Sequence, residues 1–573
     1  MKIQRNITLY GVVEGIGMRP ALYRFSKEHG LTGCAVNHAD HVDLTWQGEE
    51  AVLLEALKKL PDILPDDCRV SVSFPAETQE FNDFSFRRAP RSRYAVNLAA
   101  PPDRVPCANC LAEIADPRNR RYRYAFNACG ICGPRTTVME AMPYDRENTA
   151  WNDFPLCPDC LREYGNPDDR RFHIQGISCP KCGPRPALFD SARNKIETDE
   201  PIAYAAKEIS GGRILALKGI GGFQLICSLH SAALLRSRKR RPDKPLALMA
   251  DSLETVRRLF HLPEKEERLL TSPAGPAVLL RWKAEPNAPI APDSPDTAAV
   301  MLPSSPLHKI LISSIKEKIV IATSGNLSGL PPALDTETAL RELLPAADLL
   351  LTHSRRILRR NDDSICAVVA GEPQVWRRAR GFSSVFSRPF RRRLLAAGAG
   401  MKNTFAISDH DRFFISSHFG ELDDIRSYRA WCDAVRASVA GFRSEPEEIV
   451  CDLHPDYPSS RFAEQLARER GIPLRKAPHH CAHALAAMLD AGLRRALVFV
   501  FDGTGLAPDG VLRGAELFDM DLDRECRHAA RWDAVPLPGG DRAVLHPYVQ
   551  LAARRIAADA GIKTEHVAPE ELS

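Results

Sequence analysis

The stretch CPDCLREYGNPDDRRFHIQGISCPKCGPR, residues 157–185, contains two C-x-x-C pairs separated by eighteen residues. The stretch CANCLAEIADPRNRRYRYAFNACGICGPR, residues 107–135, contains the same pairs at the same spacing and ends in the same Gly-Pro-Arg. Self-similarity of this kind indicates an internal duplication in which each copy is one structural unit. The sequence therefore predicts two related modules in the first third of the chain.

The cysteine spacing in each copy is typical of a closed metal site. One C-x-x-C turn directs two thiolates at a tetrahedral ion, and a second turn completes four sulfur ligands with no open position for a substrate. Thioredoxin-like redox pairs are the alternative, but four pairs at matched spacing favour zinc. We predict two structural zinc ions, bound by Cys107, Cys110, Cys129 and Cys132 and by Cys157, Cys160, Cys179 and Cys182.

Length and composition restrict the remaining possibilities. The chain has 573 residues, of which 44% are hydrophobic and 26% charged, as in soluble globular proteins of several domains. The net charge of +4 does not indicate a membrane or nucleic acid as partner. We find neither a membrane-spanning apolar run nor a signal-peptide core, so we expect a cytoplasmic protein. The eight cysteines outside the pairs are expected to be small buried side chains.

Arginine pairs and aromatic residues in the two modules are compatible with nucleic-acid binding. Nearby aspartates dilute this charge, so nucleic acid is disfavoured and a rigid spacer between catalytic domains is preferred. The segments on either side of the modules must therefore indicate the function.

The N-terminal segment, residues 10–48, predicts a strand, a glycine-rich loop, an amphipathic helix and further strands. Gly15 and Gly17 can bring backbone N–H groups close to an anion at the start of the helix. Arg19 follows this loop and can bind a phosphate through two N–H groups. The loop alone is a weak signal.

This segment resembles the acylphosphatase domain, a small α/β sandwich. The resemblance implies that Arg19 binds the phosphate and that Asn37 positions the attacking water. The chain departs from the family pattern at Glu14, Met18, Cys34 and His41, where the family has Gln, Phe, Trp and Gly.

Residues 200–385 predict an α/β domain with a basic cluster and a Ser-Gly-Asn turn at the ends of strands. This combination suits a nucleoside triphosphate, although a solvated charge run is the alternative for the basic cluster. The segment resembles the YrdC-like domain, which implies binding of ATP with magnesium. Gln224 stands where the family pattern has His, and Ser364 and Arg380 are weaker candidate contacts. The predicted nucleotide-binding and substrate-binding residues are Lys218, Lys239, Arg241, Lys244, Ser324 and Asn326.

After a linker at residues 387–393, glycine turns following apolar strands resemble the phosphate loops of actin-like ATPases. His479 and His483 lie four residues apart at the start of a predicted helix, so one helix face presents both imidazoles. Asp502, in a DGTG turn after an apolar strand, can add a carboxylate oxygen. We predict a further divalent metal ion bound by these three residues, with His480 and Cys481 as neighbours only.

The order of these segments resembles the HypF family, the carbamoyltransferases of nickel–iron hydrogenase maturation. The implied architecture is multidomain, α/β and α+β. It comprises an acylphosphatase-like sandwich at 1–91, tandem four-cysteine zinc modules at 92–190, a YrdC-like domain at 191–388 and a partial actin-like, Kae-type domain at 389–573. The resemblance also implies that the family's last domain continues beyond Ser573, with a second lobe and another metal-binding aspartate.

The resemblance implies three reactions. Carbamoyl phosphate is hydrolysed at the Arg19 site, carbamate is joined to ATP at the YrdC-like site, and the carbamoyl group passes at the histidine site to the C-terminal cysteine of the HypE protein. The alternatives are an enzyme of tRNA threonylcarbamoylation and a non-enzymatic zinc scaffold. The acylphosphatase motif argues against the first, because that pathway does not open carbamoyl phosphate.

Overall fold

The fold is taken from a computed structural model, which describes residues 2–11, 15–38, 41–65, 68–74, 79–88, 101–141, 143–242, 244–284, 290–291, 296–327, 332–382, 385–387, 392–409, 412–441, 445–522, 526–532, 538–540 and 546–560. The chain forms two compact units. The first comprises Met1–Arg393 and Ala406–Glu445, and the second comprises Leu394–Phe405 and Pro446–Ser573. No helix among these described segments has the length and apolar character needed to cross a bilayer.

The N-terminal part of the first unit is a five-stranded sheet with two helices on one face. Its elements are β1 (Lys2–Tyr10), α1 (Met18–Glu28), β2 (Thr32–Asn37), β3 (His41–Glu49), α2 (Glu50–Lys59), β4 (Arg69–Ser73) and β5 (Phe84–Arg88), with a 3-10 turn at Leu60–Ile63. The strand order is β4-β1-β3-β2-β5. Alternation along β3 buries Val42, Leu44 and Trp46, which pack against Leu22 and Phe25 of α1. The predicted α/β sandwich is confirmed.

Each cysteine module contains one short helix that begins directly after its first cysteine. These helices are α3 (Ala108–Ala115) and α4 (Pro158–Gly165). Three 3-10 turns follow the first module, at Thr136–Val138, Arg146–Asn148 and Ala150–Asp153. So little regular structure leaves few backbone hydrogen bonds, which is why such modules depend on their metal for stability.

The two modules contact each other through reciprocal ion pairs. Arg171 of the second module donates hydrogen bonds to Glu113 of the first, and Arg121 of the first donates to Glu163 of the second. The two arginine side chains are only 4% and 3% exposed. Because the same contact occurs in both directions, the duplication produces a self-complementary pair of modules.

A second arginine from each module reaches the metal site of the other. Arg170 Nη2 lies 3.2 Å from Cys110 Sγ, and Arg120 Nη2 lies 3.3 Å from Cys160 Sγ. Burial alone would raise the pKa of Glu113, but its bonds from the arginines and Asn127 lower that pKa to about 2. The paired carboxylate is therefore ionised at neutral pH.

The central part of the first unit is a twelve-stranded sheet covered by helices on both faces. Its strands are β6 (Pro186–Asp190), β7 (Lys195–Ile196), β8 (Leu215–Lys218), β9 (Phe223–Cys227), β10 (Leu248–Ala250), β11 (Phe260–His261), β12 (Ala277–Trp282), β13 (Thr297–Met301), β14 (Ile319–Ser324), β15 (Leu349–His353), β16 (Ile365–Val369) and β17 (Glu372–Arg377). Its helices are α5 (Pro201–Ser210), α6 (Ala232–Lys239), α7 (Leu253–Leu259), α8 (Glu264–Thr271), α9 (Pro306–Ser313) and α10 (Thr336–Glu342), with a 3-10 turn at Leu229–Ser231.

The strand order of this sheet is β17-β16-β12-β13-β10-β14-β9-β8-β15-β6-β7, with β11 paired to β12. Strands β8, β9, β10 and β15 are buried along their whole length, as expected for a sheet covered on both sides. Strand β6 lies inside the range predicted for the zinc modules, yet it pairs with β15. The predicted division points between domains stay predictions.

The next elements alternate between the units. In the first unit are β18 (Val385–Ser387), β20 (Ala406–Asp409), β21 (Arg412–Ile415) and α11 (Ile425–Gly441), and β21 pairs antiparallel with both β18 and β20. Much of the predicted linker at 387–393 lies outside the described residues, as does Glu14.

The second unit contains two separate sheets. Its elements are β19 (Leu394–Ala396), β22 (Glu448–Asp452), α12 (Pro458–Arg470), β23 (Leu474–Ala477), α13 (His479–Asp490), β24 (Arg495–Leu506), β25 (Leu512–Asp521), β26 (Arg527–Arg531) and α14 (Pro547–Asp559). Strands β19, β22 and β23 are parallel, whereas β24, β25 and β26 form an antiparallel meander. Helix α13 packs on β24 and β25.

The reciprocal arginine contacts predict a measurable dependence of one module on the other. Arg171→Met should leave the half-buried Glu113 with Arg170 as its one remaining arginine partner, at a cost of about 3 kcal/mol. That cost corresponds to roughly a hundredfold larger population of opened modules. Zinc release into a chromophoric chelator should accelerate accordingly. Arg118→Met is the matched control, because Arg118 is 91% exposed and pairs within its own module. Equal release rates for the two variants would contradict the assignment.

Candidate functional site

The predicted phosphate loop forms one wall of a pocket in the first unit. Gly15 and Gly17 both have positive φ, 64° and 84°, and Gly17 is the residue that precedes α1. A Cβ atom on Gly15 would lie 2.5 Å from Pro101 Cγ, so this position requires glycine. Arg19 and Asn37 line the same pocket. The structure thus brings together the two residues predicted to act on the phosphate.

Asn37 is 5% exposed, and its Oδ1 atom has no hydrogen-bond partner among the described residues. A buried carbonyl oxygen without a partner is costly, and such atoms occur where a ligand or water binds. The predicted role of Asn37 in holding a water molecule fits this environment.

The opposite wall of the pocket comes from the cysteine modules. It includes Gly130 and Arg135 of the first module, Tyr144, and residues 173–176 of the second module. Burial lowers the pKa of His173 to about 4, an effect that nearby Arg19 reinforces, so this imidazole is neutral at pH 7. Its Nδ1 atom is buried and lacks a hydrogen-bond partner in the described structure. The pocket is therefore shared between the sandwich and both modules.

Arg135 of this wall bonds the phosphate loop, and the nearby Asp145 bonds Arg19 at the start of α1. Arg135 Nε donates to Gly15 O at 2.6 Å, and its Nη2 donates to Cys129 O at 2.7 Å, which connects the loop to a predicted zinc ligand. Arg19 Nη2 donates to Asp145 Oδ1 at 2.7 Å. Sequence reasoning missed these residues, because no local pattern shows which segments meet in the folded chain.

The two cysteine groups have the dimensions of tetrahedral zinc sites. A Zn–S bond of about 2.3 Å places the sulfur atoms of a regular tetrahedron about 3.8 Å apart. In the first group Cys129 Sγ lies 3.7 Å from Cys107 Sγ and 3.6 Å from Cys132 Sγ. In the second group three Sγ–Sγ distances are 3.6–3.8 Å. All four cysteines of each group converge, so the residues fit zinc.

The Ser-Gly-Asn turn and the basic cluster meet at the C-terminal end of β14, in the middle of the central sheet. Lys239 Nζ donates to Ser324 O and lies 3.2 Å from Asn326 Oδ1. Lys239 is only 1% exposed, so its ammonium group stabilises the turn from the protein interior. Burial, reinforced by Arg241, lowers the pKa of Lys239 to about 7. This lysine is therefore poised to lose its proton near neutral pH.

The other predicted basic residues lie in different environments. Arg241 is half-buried beside Arg377, whereas Lys244 is exposed and no side-chain contact is described for it. Arg360 and Arg377 lie near the half-buried Asp362, whose pKa is raised by desolvation. Sequence reasoning missed Arg360 and Arg377, although both lie in Arg-rich segments at strand ends.

Lys218 lies at the end of β8, two strands from Ser324, and faces a second pocket. Its Nζ donates to His353 O at 3.1 Å. Burial lowers the pKa of Lys218 to about 8, with a contribution from nearby Arg355. Arg355 lines the same pocket and packs over the rings of Phe126 and Trp151. The pocket thus presents two cations suited to a small anion.

The weaker candidates have structural contacts. Arg380 is 2% exposed and pairs with Asp363 at 2.8 Å. Ser364 Oγ is buried and donates to Arg380 O. Gln224 connects Asp363 to His308 through hydrogen bonds of 2.6 Å and 2.8 Å. These contacts connect the residues to one another within the central domain. Direct contact with a nucleotide stays a prediction for Ser364 and Arg380.

In the second unit, His479, His483 and Asp502 converge as predicted. His479 Nε2 lies 3.2 Å from His483 Nε2 and 3.4 Å from Asp502 Oδ2. Ligand bonds of about 2.0–2.1 Å give tetrahedral edges of about 3.3 Å, so the three donors fit a divalent metal ion. The DGTG sequence was expected to form a turn. It lies instead inside β24, at a register shift between Phe501 and Gly505.

Asp452 supports this cluster and was missed from the sequence. It ends β22, is 7% exposed, and its Oδ2 lies 2.6 Å from His479 Nδ1. That bond fixes the ring so that Nε2 faces the other ligands, the usual arrangement of a carboxylate behind a metal-bound histidine. His480 is buried instead and contacts Glu516, 2.6 Å away. Asp452 ends an apolar strand three elements before the histidine helix, a signal that could have identified it.

Comparison with known families accounts for most of the chain. The matching family models are Acylphosphatase at residues 5–86, HypF finger at 107–139 and 156–189, the Sua5/YciO/YrdC family described as Telomere recombination at 207–379, HypF Kae1-like domain at 390–490, and the second subdomain of the carbamoyltransferase Kae1-like domain at 498–571. Their order is the one predicted from the sequence.

Among curated proteins, carbamoyltransferase HypF2 of Cupriavidus necator is 38% identical in an alignment 597 residues long, which covers 99% of this chain and 74% of that protein. The chain belongs to the HypF carbamoyltransferase family. HypF of Synechocystis is also 38% identical and covers 95% of the chain and 71% of its own length. The predicted family and the predicted enzyme class are confirmed.

Solved HypF structures agree with this assignment. A full-length HypF in a phosphate- and nucleotide-bound form matches with a TM-score of 0.88 and 34% identity, covering 95% of this chain and 72% of that one. HypF of T. kodakarensis matches with a TM-score of 0.86 at the same identity, with 95% and 71% coverage. The predicted fold class is confirmed.

The hydrogen bond between Asp452 and His479 predicts that removing the Asp452 carboxylate weakens metal binding at the histidine cluster. Asp452→Asn should weaken binding of a divalent ion at the histidine cluster about 10- to 100-fold. Calorimetric titration of protein with its cysteine sites loaded would measure this change. Asp456→Asn is the control, because Asp456 is 70% exposed and pairs only with Arg461 among its described contacts. Unchanged affinity in Asp452→Asn would show that His479 does not need this carboxylate.

Proposed function

We propose that this HypF-family chain hydrolyses carbamoyl phosphate, activates the product with ATP and transfers the carbamoyl group to the C-terminal cysteine of HypE. The thiocarboxamide so formed is the precursor of the cyanide ligand in nickel–iron hydrogenases. The observation that carries the proposal is the pocket that holds Arg19 together with the unpartnered Asn37 Oδ1 atom. The family's carbamoyltransferase role supports the rest.

The first step needs few groups. Arg19 and the N–H groups at the start of α1 bind the phosphate, and Asn37 orients a water molecule for in-line attack on phosphorus. The P–O bond to the carbamoyl group breaks, which releases phosphate and carbamate. His173 lines the same pocket, and its imidazole is neutral because burial and the nearby Arg19 lower its pKa to about 4, so Arg19 supplies the positive charge there.

In the second step, a carbamate oxygen attacks the α-phosphorus of ATP, which gives carbamoyl adenylate and pyrophosphate. The pocket with Lys218 and Arg355 suits the carbamate anion, and the turn held by Lys239 suits the phosphates of ATP with magnesium. In the third step, the cysteine sulfur of HypE displaces AMP from the carbamoyl carbon. A metal ion bound by His479, His483 and Asp502 would supply a Lewis acid there.

The decisive experiment measures phosphate release from carbamoyl phosphate. Arg19→Ala should reduce this rate to the background level, because Arg19 is the cation that holds the phosphate at the start of α1. Binding of a fluorescent ATP analogue should remain unchanged. Arg24→Ala is the matched control on the same helix, since Arg24 is exposed and contacts the carbonyl groups of Pro167 and Asp169.

A wild-type rate of phosphate release in Arg19→Ala would show that the loop has only a structural role. The unmodified chain should also release pyrophosphate from ATP when given carbamoyl phosphate. Release only with threonine and bicarbonate would instead support threonylcarbamoylation.

The lowered pKa of Lys239 predicts how the second step depends on pH. Its pKa is lowered to about 7, so it is charged below this pH and neutral above it. The turn at Ser324 should loosen as the proton is lost, and kcat/KM for ATP should fall as pH rises through about 7. Lys239→Met should have a low kcat/KM that no longer falls between pH 6 and 8. Lys207→Met, a change at an exposed lysine of α5, should keep the wild-type profile. A fall that persists in Lys239→Met would assign the titration to another group.

A further inference from the structure

We infer that His38, His41 and Asp43 form a binding site for a divalent transition-metal ion on the N-terminal sandwich. The three residues lie at the β2–β3 hairpin, where His38 N donates to His41 O at 2.9 Å. Their ligand atoms lie within 4.8 Å of one another. This cluster belongs to none of the sites described above.

The geometry is that of metal ligands around one point. His38 Nε2 lies 3.1 Å and His41 Nε2 lies 3.5 Å from the same oxygen, Asp43 Oδ2. Tetrahedral nitrogen and oxygen ligands at about 2.0–2.1 Å from an ion are separated by about 3.3 Å. The two imidazoles are stacked, with centroids 4.5 Å apart and an interplanar angle of 12°, and both direct Nε2 towards the carboxylate.

A supporting hydrogen bond orients the carboxylate. Thr8 Oγ1, on the neighbouring strand β1, donates to Asp43 Oδ1 at 2.9 Å. Thr8 is paired with Asp43 in the β1–β3 register, so the bond is built into the sheet. With Oδ1 held by a hydroxyl group, Oδ2 is presented to the two histidines. Bonds of this kind behind a ligand raise metal affinity.

The site is separate from the phosphate pocket because it lies on the other face of the sheet. His41 and Asp43 alternate along β3 with Val42 and Leu44, which are fully buried under the helices. Asn37 pairs with Val42 and lines the phosphate pocket on that side. His38, His41 and Asp43 are not among the residues that line the pocket.

The donor set defines the class of ion. Two imidazoles and one carboxylate suit zinc, nickel or ferrous iron rather than calcium or magnesium. The side chains of His38, His41 and Asp43 are 30%, 17% and 46% exposed, so an ion can enter from solvent and keep water as further ligands. His41 also stands where the acylphosphatase pattern has glycine, so the site is a property of this chain and not of the domain type.

The experiment counts metal equivalents in the full chain. The starting protein carries His479→Ala and His483→Ala, which removes the cluster of the second unit, and its cysteine sites are loaded with zinc. Calorimetric titration with Zn²⁺ should then show one further equivalent. His41→Gln and Asp43→Asn, each added to this background, should weaken its binding at least tenfold, because each removes one of three ligands.

Two further variants sharpen the result. Thr8→Val should weaken binding by a smaller factor, since it removes only the support of Asp43. His29→Gln is the matched control, because His29 lies in the same sandwich, at the end of α1, and contacts Phe25 O. It should retain the equivalent. Absence of the further equivalent in the background protein, or equal affinity in His41→Gln and His29→Gln, would overturn the proposal.

Discussion

The reciprocal pairing of arginine with glutamate between the two cysteine modules is the constraint on which the first unit depends. Arg171 and Arg121 are nearly buried, so each needs the carboxylate that the other module supplies. Arg170 and Arg120 extend the same exchange to the thiolates. Each module therefore takes the partners of these charges from the other copy.

This pair of modules supplies contacts to the neighbouring sites. Arg135 holds the phosphate loop through Gly15, and Tyr144 and His173 complete the pocket around Arg19. On another side, Phe126 and Trp151 support the guanidinium of Arg355 beside Lys218. A spacer between catalytic domains was expected from the sequence, but the modules also form part of both pockets.

Most of the architecture could be predicted from the sequence because its signals are local. Cysteine spacing, strand alternation and the glycine loop each depend on neighbouring residues, and together they identified the HypF family. The His479, His483 and Asp502 cluster was also predictable, although Asp502 lies within a strand and not in a turn. Asp145, Arg135 and Asp452 were not predicted, because their roles depend on which segments meet after folding. The burial of Lys239 could not be predicted either, since a basic run in a sequence is usually solvated.

The bond from Arg135 to Gly15 has a consequence for how this protein can be dissected. A fragment ending near residue 91 keeps the sandwich, Arg19 and Asn37, and so retains everything that a domain boundary drawn on compactness would include. It loses the guanidinium that fixes the loop and the wall that excludes solvent from it. The length of chain that contains the whole sandwich is therefore shorter than the length that contains the whole first pocket.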